Sequence, residues 1–214
     1  FQTLANWRAQ FQYASATTQD FIAVAEATTG QDLNWFFDPW IFQIGGVRYS
    51  LGSQNIVVNG ENYLLLKVGQ VQNGTYPIYR MPVDVRFVDS AGTQTRVIVV
   101  NASTQWYAIK TTGTASGISL DPDGWILTTG STTAATFTAG PPKIVSVTPA
   151  PGNASDGDVS QLKVTFHTAV NLSSSSFALF SREGTPIPFG YKYDAATKTA
   201  TLDPAYDGDF GGYR

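Results

Sequence analysis

Two periods of apolar and polar residues divide this chain. Over residues 1–43 the spacing is three and four: Leu4, Trp7, Ala9, Phe11 and Ala14 recur among polar neighbours and predict an amphipathic helix, broken at residues 15–18. Thr17 stands three positions before Asp20, the pattern of a capping box, and Phe21, Val24, Ala25 and Thr28 line one face before Gly30 stops the helix. Asp32 can cap a third helix that brings Leu33, Phe36, Phe37 and Trp40 to one side, with Pro39 expected to tighten it or end it early.

From about Gly45 the period becomes two. Residues 62–71, 81–89, 94–101 and 105–110 read as strands, and in 81–89 Val83, Val85 and Phe87 share a face while Asp84 and Arg86 point away. Asn59-Gly60 and Asn73-Gly74 are hairpin dipeptides, and Ser90-Ala91-Gly92-Thr93 joins two alternating runs at hairpin spacing. Residues 118–120 and 125–127, linked by Asp121-Pro122-Asp123-Gly124, complete a sandwich or barrel-like domain.

Residues 131–140 form a Thr/Ala/Gly stretch that runs into Pro141-Pro142, the composition of a semi-extended linker. Beyond it five short strands are predicted at 143–148, 161–167, 177–180, 187–193 and 197–202, the spacing of an Ig-like sandwich. Such a sandwich has about seven strands, so the last one or two are expected to be missing and to leave an open edge. The expected class is mainly β: terminal helices over 1–43, a β-sandwich over 44–130, a linker over 131–141 and a truncated Ig-like sandwich over 142–214.

Composition agrees with strands and turns. Charged residues make up only 14% of the 214 positions while aromatics reach 13%, beside 20 Gly and 11 Pro. A net charge of -3 without any basic run gives no footprint for nucleic acid or for an anionic membrane surface, and no apolar run is long enough to cross a bilayer as a helix. The chain has no Cys, which excludes disulfides, thiolate metal sites and cysteine nucleophiles. A chain that opens at Phe1 inside an amphipathic pattern and closes at Tyr213-Arg214 inside a strand-like one is expected to be a piece of a longer protein.

Thr17-Thr18-Gln19-Asp20-Phe21 through Glu26, followed by Gly30-Gln31-Asp32-Leu33-Asn34-Trp35-Phe36-Phe37-Asp38-Pro39-Trp40, resembles the end of the catalytic domain in the aminopeptidase N family of zinc metallopeptidases. There a T-x-x-D-F-x-x-x-x-E helix precedes G-x-D-L-x-W-F-F-D-x-W, and the chain then enters a β-sandwich. Leu120-Asp121-Pro122-Asp123-Gly124-Trp125-Ile126-Leu127 is similar to the close of that β domain. Pro39 stands where Gln is commoner, and Gly45-Gly46-Val47 where a Gly-x-Pro turn is usual. The later Pro142-Lys143-Ile144-Val145-Ser146-Val147-Thr148-Pro149, with Leu162-Lys163-Val164-Thr165-Phe166, is similar to Ig-like domains of bacterial surface-layer and secreted proteins. Together the resemblances imply the non-catalytic C-terminal region of a bacterial enzyme that is secreted, periplasmic or on the cell surface. The parent would use zinc to hydrolyse N-terminal peptide bonds, and this region's partner would be the upstream catalytic domain. Leu33, Phe36, Phe37 and Trp40 are then expected to pack between domains.

Activity in that family needs an H-E-x-x-H helix, a further Glu ligand and a Tyr for the oxyanion. This chain has one His and no H-E pair, so neither a catalytic residue nor a metal ligand is assigned in it, and no cofactor is expected in this segment. His167 alternates with Phe166 and is expected on the solvated face with Lys163 and Thr165. Asp121-Pro122-Asp123-Gly124, Asp156-Gly157-Asp158 and Asp207-Gly208-Asp209 look superficially like calcium loops, but two carboxylates fall short of the oxygen count and turn chemistry explains them. Asp20, Glu26 and Asp32 sit where helix starts and exposed faces favour negative charge. Four N-glycosylation sequons, at Asn73, Asn101, Asn153 and Asn171, are expected to stay unmodified in a bacterium. The alternatives are a carbohydrate-binding or adhesion module, with Trp106, Tyr107 and Trp125 as a flat platform for cell-wall or other glycans, and part of a degenerate peptidase homologue used for protein contact.

Overall fold

A computed structural model describes residues 1–150, 160–181 and 184–205. The chain is mainly β, 42% strand against 18% helix, with its α-helices in the N-terminal segment as expected and one short 3-10 turn, Ser174–Ser176, in the second β unit. Helix α1 (Gln2–Phe11) buries nothing fully; Trp7 holds it to its neighbour through an edge contact with Phe21 at 5.2 Å, aided by a 2.9 Å bond from Asn6 Nδ2 to Thr28 Oγ1. Helix α2 (Thr18–Thr29) carries the predicted capping box, the Thr17 hydroxyl accepting from the Asp20 amide and the Asp20 carboxylate accepting from the Thr17 amide at 2.8 Å. Gly30 ends it at φ 68°, a left-handed position open to glycine. Val24 and Ala25 are buried as the stripe predicts, and Ile22 is buried beside it.

The third helix departs from expectation. Helix α3 (Asn34–Phe37) is a single turn, and at Pro39 the chain neither tightens nor stops but widens into a π-helical turn, Asp38–Phe42. Proline has no N–H to give to the carbonyl four residues back and its ring crowds that carbonyl. A wider turn relieves the clash and keeps the chain helical through Trp40.

Strand β1 (Tyr49–Val58), which the alternation had not singled out, pairs antiparallel with β2 (Glu61–Gln70) through Asn59-Gly60. Both loop residues have positive φ, 51° and 82°, as a type I′ turn requires. Strand β3 (Met81–Asp89) pairs with β4 (Gly92–Val100), Asp89 opposite Gly92, and β5 (Thr104–Thr111) returns to pair with β2. Strand β6 (Ser116–Leu120) joins β3, and two residues of β7 (Thr133–Ala134) run parallel to β1. Two sheets result, ordered β5-β2-β1-β7 and β4-β3-β6. Between them lies a core of Val47, Tyr49, Leu64, Leu66, Val68, Tyr79, Val83, Val85, Phe87, Ile98 and Val100, with Ala115, Leu120 and Ile126. Burial of these side chains is the main force holding the sandwich.

Two expectations are corrected here. Asn73-Gly74 forms a turn, Asn73 Oδ1 accepting from the Thr75 amide, but not a hairpin: β2 and β3 lie in different sheets, so the loop between them crosses the sandwich. Residues 125–127 are not a strand. Asp121, at φ 45°, turns its carboxylate onto the amides of Trp125 and Ile126 at 2.9 and 3.0 Å, and those N–H groups are thereby satisfied without a strand partner; only Thr128 bridges to Val47.

In the second β unit, β8 (Ile144–Thr148), β9 (Leu162–Phe166), β12 (Phe189–Asp194) and β13 (Thr199–Pro204) form one sheet ordered β12-β13-β9-β8, and β10 (Leu179–Phe180) and β11 (Pro186–Ile187) form a separate short pair. The predicted strand over 187–193 is therefore two, with Pro188 between them. Val164, Phe166 and Ala200 form its small buried cluster, with Val170, Leu172, Phe177, Tyr191 and Tyr193 packed around it. The turns Asp156-Gly157-Asp158 and Asp207-Gly208-Asp209, the Asn153 sequon and the strand-like 213–214 end lie outside the described residues.

Candidate functional site

Aromatic rings connect the helical segment to the first sandwich without a gap. Phe21 meets Phe37 edge-on at 6.2 Å, Phe37 meets Phe36 at 5.3 Å, Phe36 reaches Trp40 at 6.4 Å, and Trp40 lies on Tyr79 at 4.5 Å. Edge and tilted contacts of this kind add to the burial of each ring. The structure thus brings Phe36, Phe37 and Trp40 together, while Leu33 is tied alongside by its amide, which donates to Glu26 Oε1 at 2.9 Å. Glu26 therefore links α2 to the turn after it instead of lying free on an exposed face.

Tyr79 is held by a residue that the alternation gave no reason to select. Gln70, buried at the end of β2, donates from Nε2 to the Tyr79 carbonyl at 2.6 Å and accepts the Tyr79 amide on Oε1 at 2.9 Å. Gln72 reinforces it, bonding Gln70 Oε1 at 3.1 Å and the Pro77 carbonyl at 2.8 Å. The two glutamines replace the ladder that the crossing loop lacks, and so place Tyr79 under Trp40. Beyond the ridge several apolar side chains stay exposed: Trp35, under the Arg80 guanidinium at 5.0 Å, then Ile41, Phe42, Ile44 and Ile78.

Trp106, Tyr107 and Trp125 are not gathered. The indole N–H of Trp106 donates to the Thr138 carbonyl at 2.8 Å and its ring abuts Gly140, where an added Cβ would overlap the ring. Tyr107 points the other way, its hydroxyl donating to the Val99 carbonyl at 2.7 Å while burial raises its pKa to about 12. Trp125 stands alone on the loop after β6, 81% exposed. No ring contact joins the three among the described residues.

Of the residues expected on one solvated face only Lys163 is exposed: Thr165 is buried, its hydroxyl bonded to that of Thr199 at 3.0 Å, and His167 is corrected from solvated to buried. It does face outward from its own sheet, but that face abuts the first sandwich, where Leu65, Phe137, Gly140 and Pro141 join His167 in lining one seam. Nδ1 accepts the Lys143 amide at 2.9 Å, so the imidazole is neutral there; burial, with the Lys198 and Lys143 charges, lowers its pKa below the ordinary 6.5. A catalytic zinc needs more than this. The one imidazole is engaged by a main-chain amide, and no group of three His, Asp or Glu side chains converges among the described residues. These residues do not fit such a metal. Asp20, Asp89 and Asp194 all have lowered pKa values because amides and hydroxyls donate to each carboxylate: Thr17 to Asp20 and Ala196 to Asp194 within the local turn, and to Asp89 first the distant Thr112 at the end of β5. Asp121 accepts the Trp125 and Ile126 amides, and Asp123 pairs with Arg86 at 2.7 Å.

No curated protein is significantly similar to the chain in sequence. Among solved structures the chain is similar to Legionella pneumophila aminopeptidase A in complex with aspartic acid, with 16% identity and a TM-score of 0.49 over 64% of this chain; it spans 15% of that protein's length. Residues 138–210 match the family model of a bacterial Ig-like domain, which makes the second β unit similar to a module described from bacteria.

Proposed function

We propose that this chain is a structural, non-catalytic region of a larger bacterial zinc aminopeptidase-like protein, secreted or held at the cell surface, in which the helices close a catalytic domain, the first sandwich buttresses it and the Ig-like unit acts as a spacer. The observation that carries the reading is the aromatic ridge. The rings from Phe21 to Tyr79 fix the helical segment onto the sandwich and leave Trp35, Ile41, Phe42 and Ile44 exposed on that side, the last at 77%. Apolar side chains concentrated at one junction favour a further protein surface over water. The T-x-x-D-F and W-F-F-D-x-W patterns that build this ridge are the ones that resemble the aminopeptidase N family, and the match of 138–210 to a bacterial Ig-like domain supports an extracellular setting. Zinc and the hydrolytic residues would then belong to the parent's upstream catalytic domain, this region's partner.

The experiment is made on the full-length product of the gene. An H-E-x-x-H helix upstream of Phe1, with release of an aminoacyl chromophore by the intact protein and none by residues 1–214, is the expected result. Zinc retained at one equivalent by residues 1–214 after dialysis, together with chromophore release by that segment, would overturn the reading. A glycan platform has less support, because the polar atoms of Trp106 and Tyr107 are already engaged and Trp125 stands apart.

A further inference from the structure

We propose that the free edge of β5 accepts an acidic, extended peptide segment as an added strand, in the groove between the two sheets of the first sandwich. Strand β5 ends one sheet and β4 ends the other, so each is hydrogen-bonded to a strand on one side only; the start of β8 approaches β5 without pairing with it and closes one end of the groove with Lys143 and Ile144. A groove of about 860 Å³ lies between these edges. Its lining includes every residue from 105 to 112 without a gap. A strand's face would contribute alternate residues; an unbroken run means that the groove fronts the edge itself, where main-chain N–H and C=O groups point. With Thr112 engaged by Ser90 and Asp89, residues 105–111 leave about 23 Å of edge, along which alternate residues turn their main-chain groups outward.

The groove is held open by bonds between its walls. Tyr107 reaches across to the Val99 carbonyl, and at the hairpin end Ser90 Oγ donates to the Thr112 carbonyl at 2.8 Å while the Thr112 amide donates to Asp89 Oδ2 at 3.0 Å. A strand entering here meets a fixed width and causes little reordering. The charges select its chemistry. Arg96, Lys110 and Lys143 line the groove against a single carboxylate, Asp89, on a chain whose net charge is -3. Asp89 is committed to the Thr112 and Ala91 amides, and the Lys110 pair with Glu61 at 2.9 Å is exposed on both sides and weak. Val97, 64% exposed, and Ile144 offer apolar contacts for alternate residues. A main-chain edge presents donors and acceptors at peptide spacing, which a polysaccharide does not match.

The probe is a fluorescein-labelled peptide of eight residues alternating Glu and Val, titrated into the 214-residue protein at low salt and read by anisotropy. Saturable binding is expected, weakened at least about tenfold by N-methylation of every second amide, by added NaCl, and by Arg96→Glu with Lys143→Glu, both on side chains whose loss leaves the core intact. Circular dichroism confirms that the variant is folded. Absence of binding at about 1 mM peptide, equal binding of the N-methylated peptide, or binding of polygalacturonate in place of peptide would each overturn the proposal.

Discussion

At the scale of single residues, His167 is where local pattern and final environment part. Its alternation with Phe166 correctly points it away from its own core, yet outward from one sheet is inward to the seam with another. Because its folded pKa lies below 6.5, the unfolded chain takes up a proton first as the pH falls. Stability from this residue is therefore full above 6.5 and is lost as pH drops from there toward the lower folded midpoint. With one histidine in the chain, its Hε1 proton gives a single NMR signal; a titration midpoint below 6.5 is expected, and one at or above 6.5 would mean that the ring is solvated. Gln70 is the opposite case. A lone polar residue at the end of an apolar run gives no sign that it will clamp the Tyr79 main chain, because its partner comes from a loop whose path depends on both sheets.

Among elements, the aromatic run after Asp32 was legible in its residues and not in its shape. Three and four spacing put Phe36, Phe37 and Trp40 together, but the π turn that follows from Pro39 decides which way Trp40 faces. Trp40 packs on Tyr79 while its indole N–H has no partner, one of few such buried groups among the described residues. Trp40→Ala is expected to cost about 2–4 kcal/mol, close to the range for removing a packed aromatic ring. Trp40→Phe keeps the ring contact and removes the orphan donor, so about 1 kcal/mol or less is expected. Urea unfolding followed by circular dichroism separates the two; equal losses would show that the indole, not ring packing, carries the junction. The capping box at Thr17 and the Asn59-Gly60 hairpin were readable outright, since each is complete within a few consecutive residues.

In the whole molecule the two β units meet along a filled seam. The stretch 131–141, whose composition reads as a linker, adds β7 to the first sheet, and the Ala135 amide donates to the Leu51 carbonyl at 2.9 Å. Phe137, Gly140 and Pro141 then cover Leu65 on the outer face of β2, which explains why Leu64, Leu65 and Leu66 are all buried in a strand with one face toward the core. Asn59 Nδ2 reaches the Thr197 carbonyl at 3.0 Å and adds a second tie. Gly140→Ala drives a methyl group into the Trp106 ring, so a loss of about 1–3 kcal/mol and a red shift in tryptophan emission are expected; an unchanged spectrum and midpoint would mean that the seam is loose. The sequence by itself determined the mainly β class, the placing of the α-helices at the start, most strand positions and the caps and hairpin turns, because periodicity and turn chemistry act over a few residues. Tertiary structure alone decided which sheets cover each other, that an outward histidine is buried, that a Thr-rich stretch becomes a strand, and that two glutamines and a widened helix seat the aromatic ridge. Each of those depends on groups far apart in the chain, and only packing selects them.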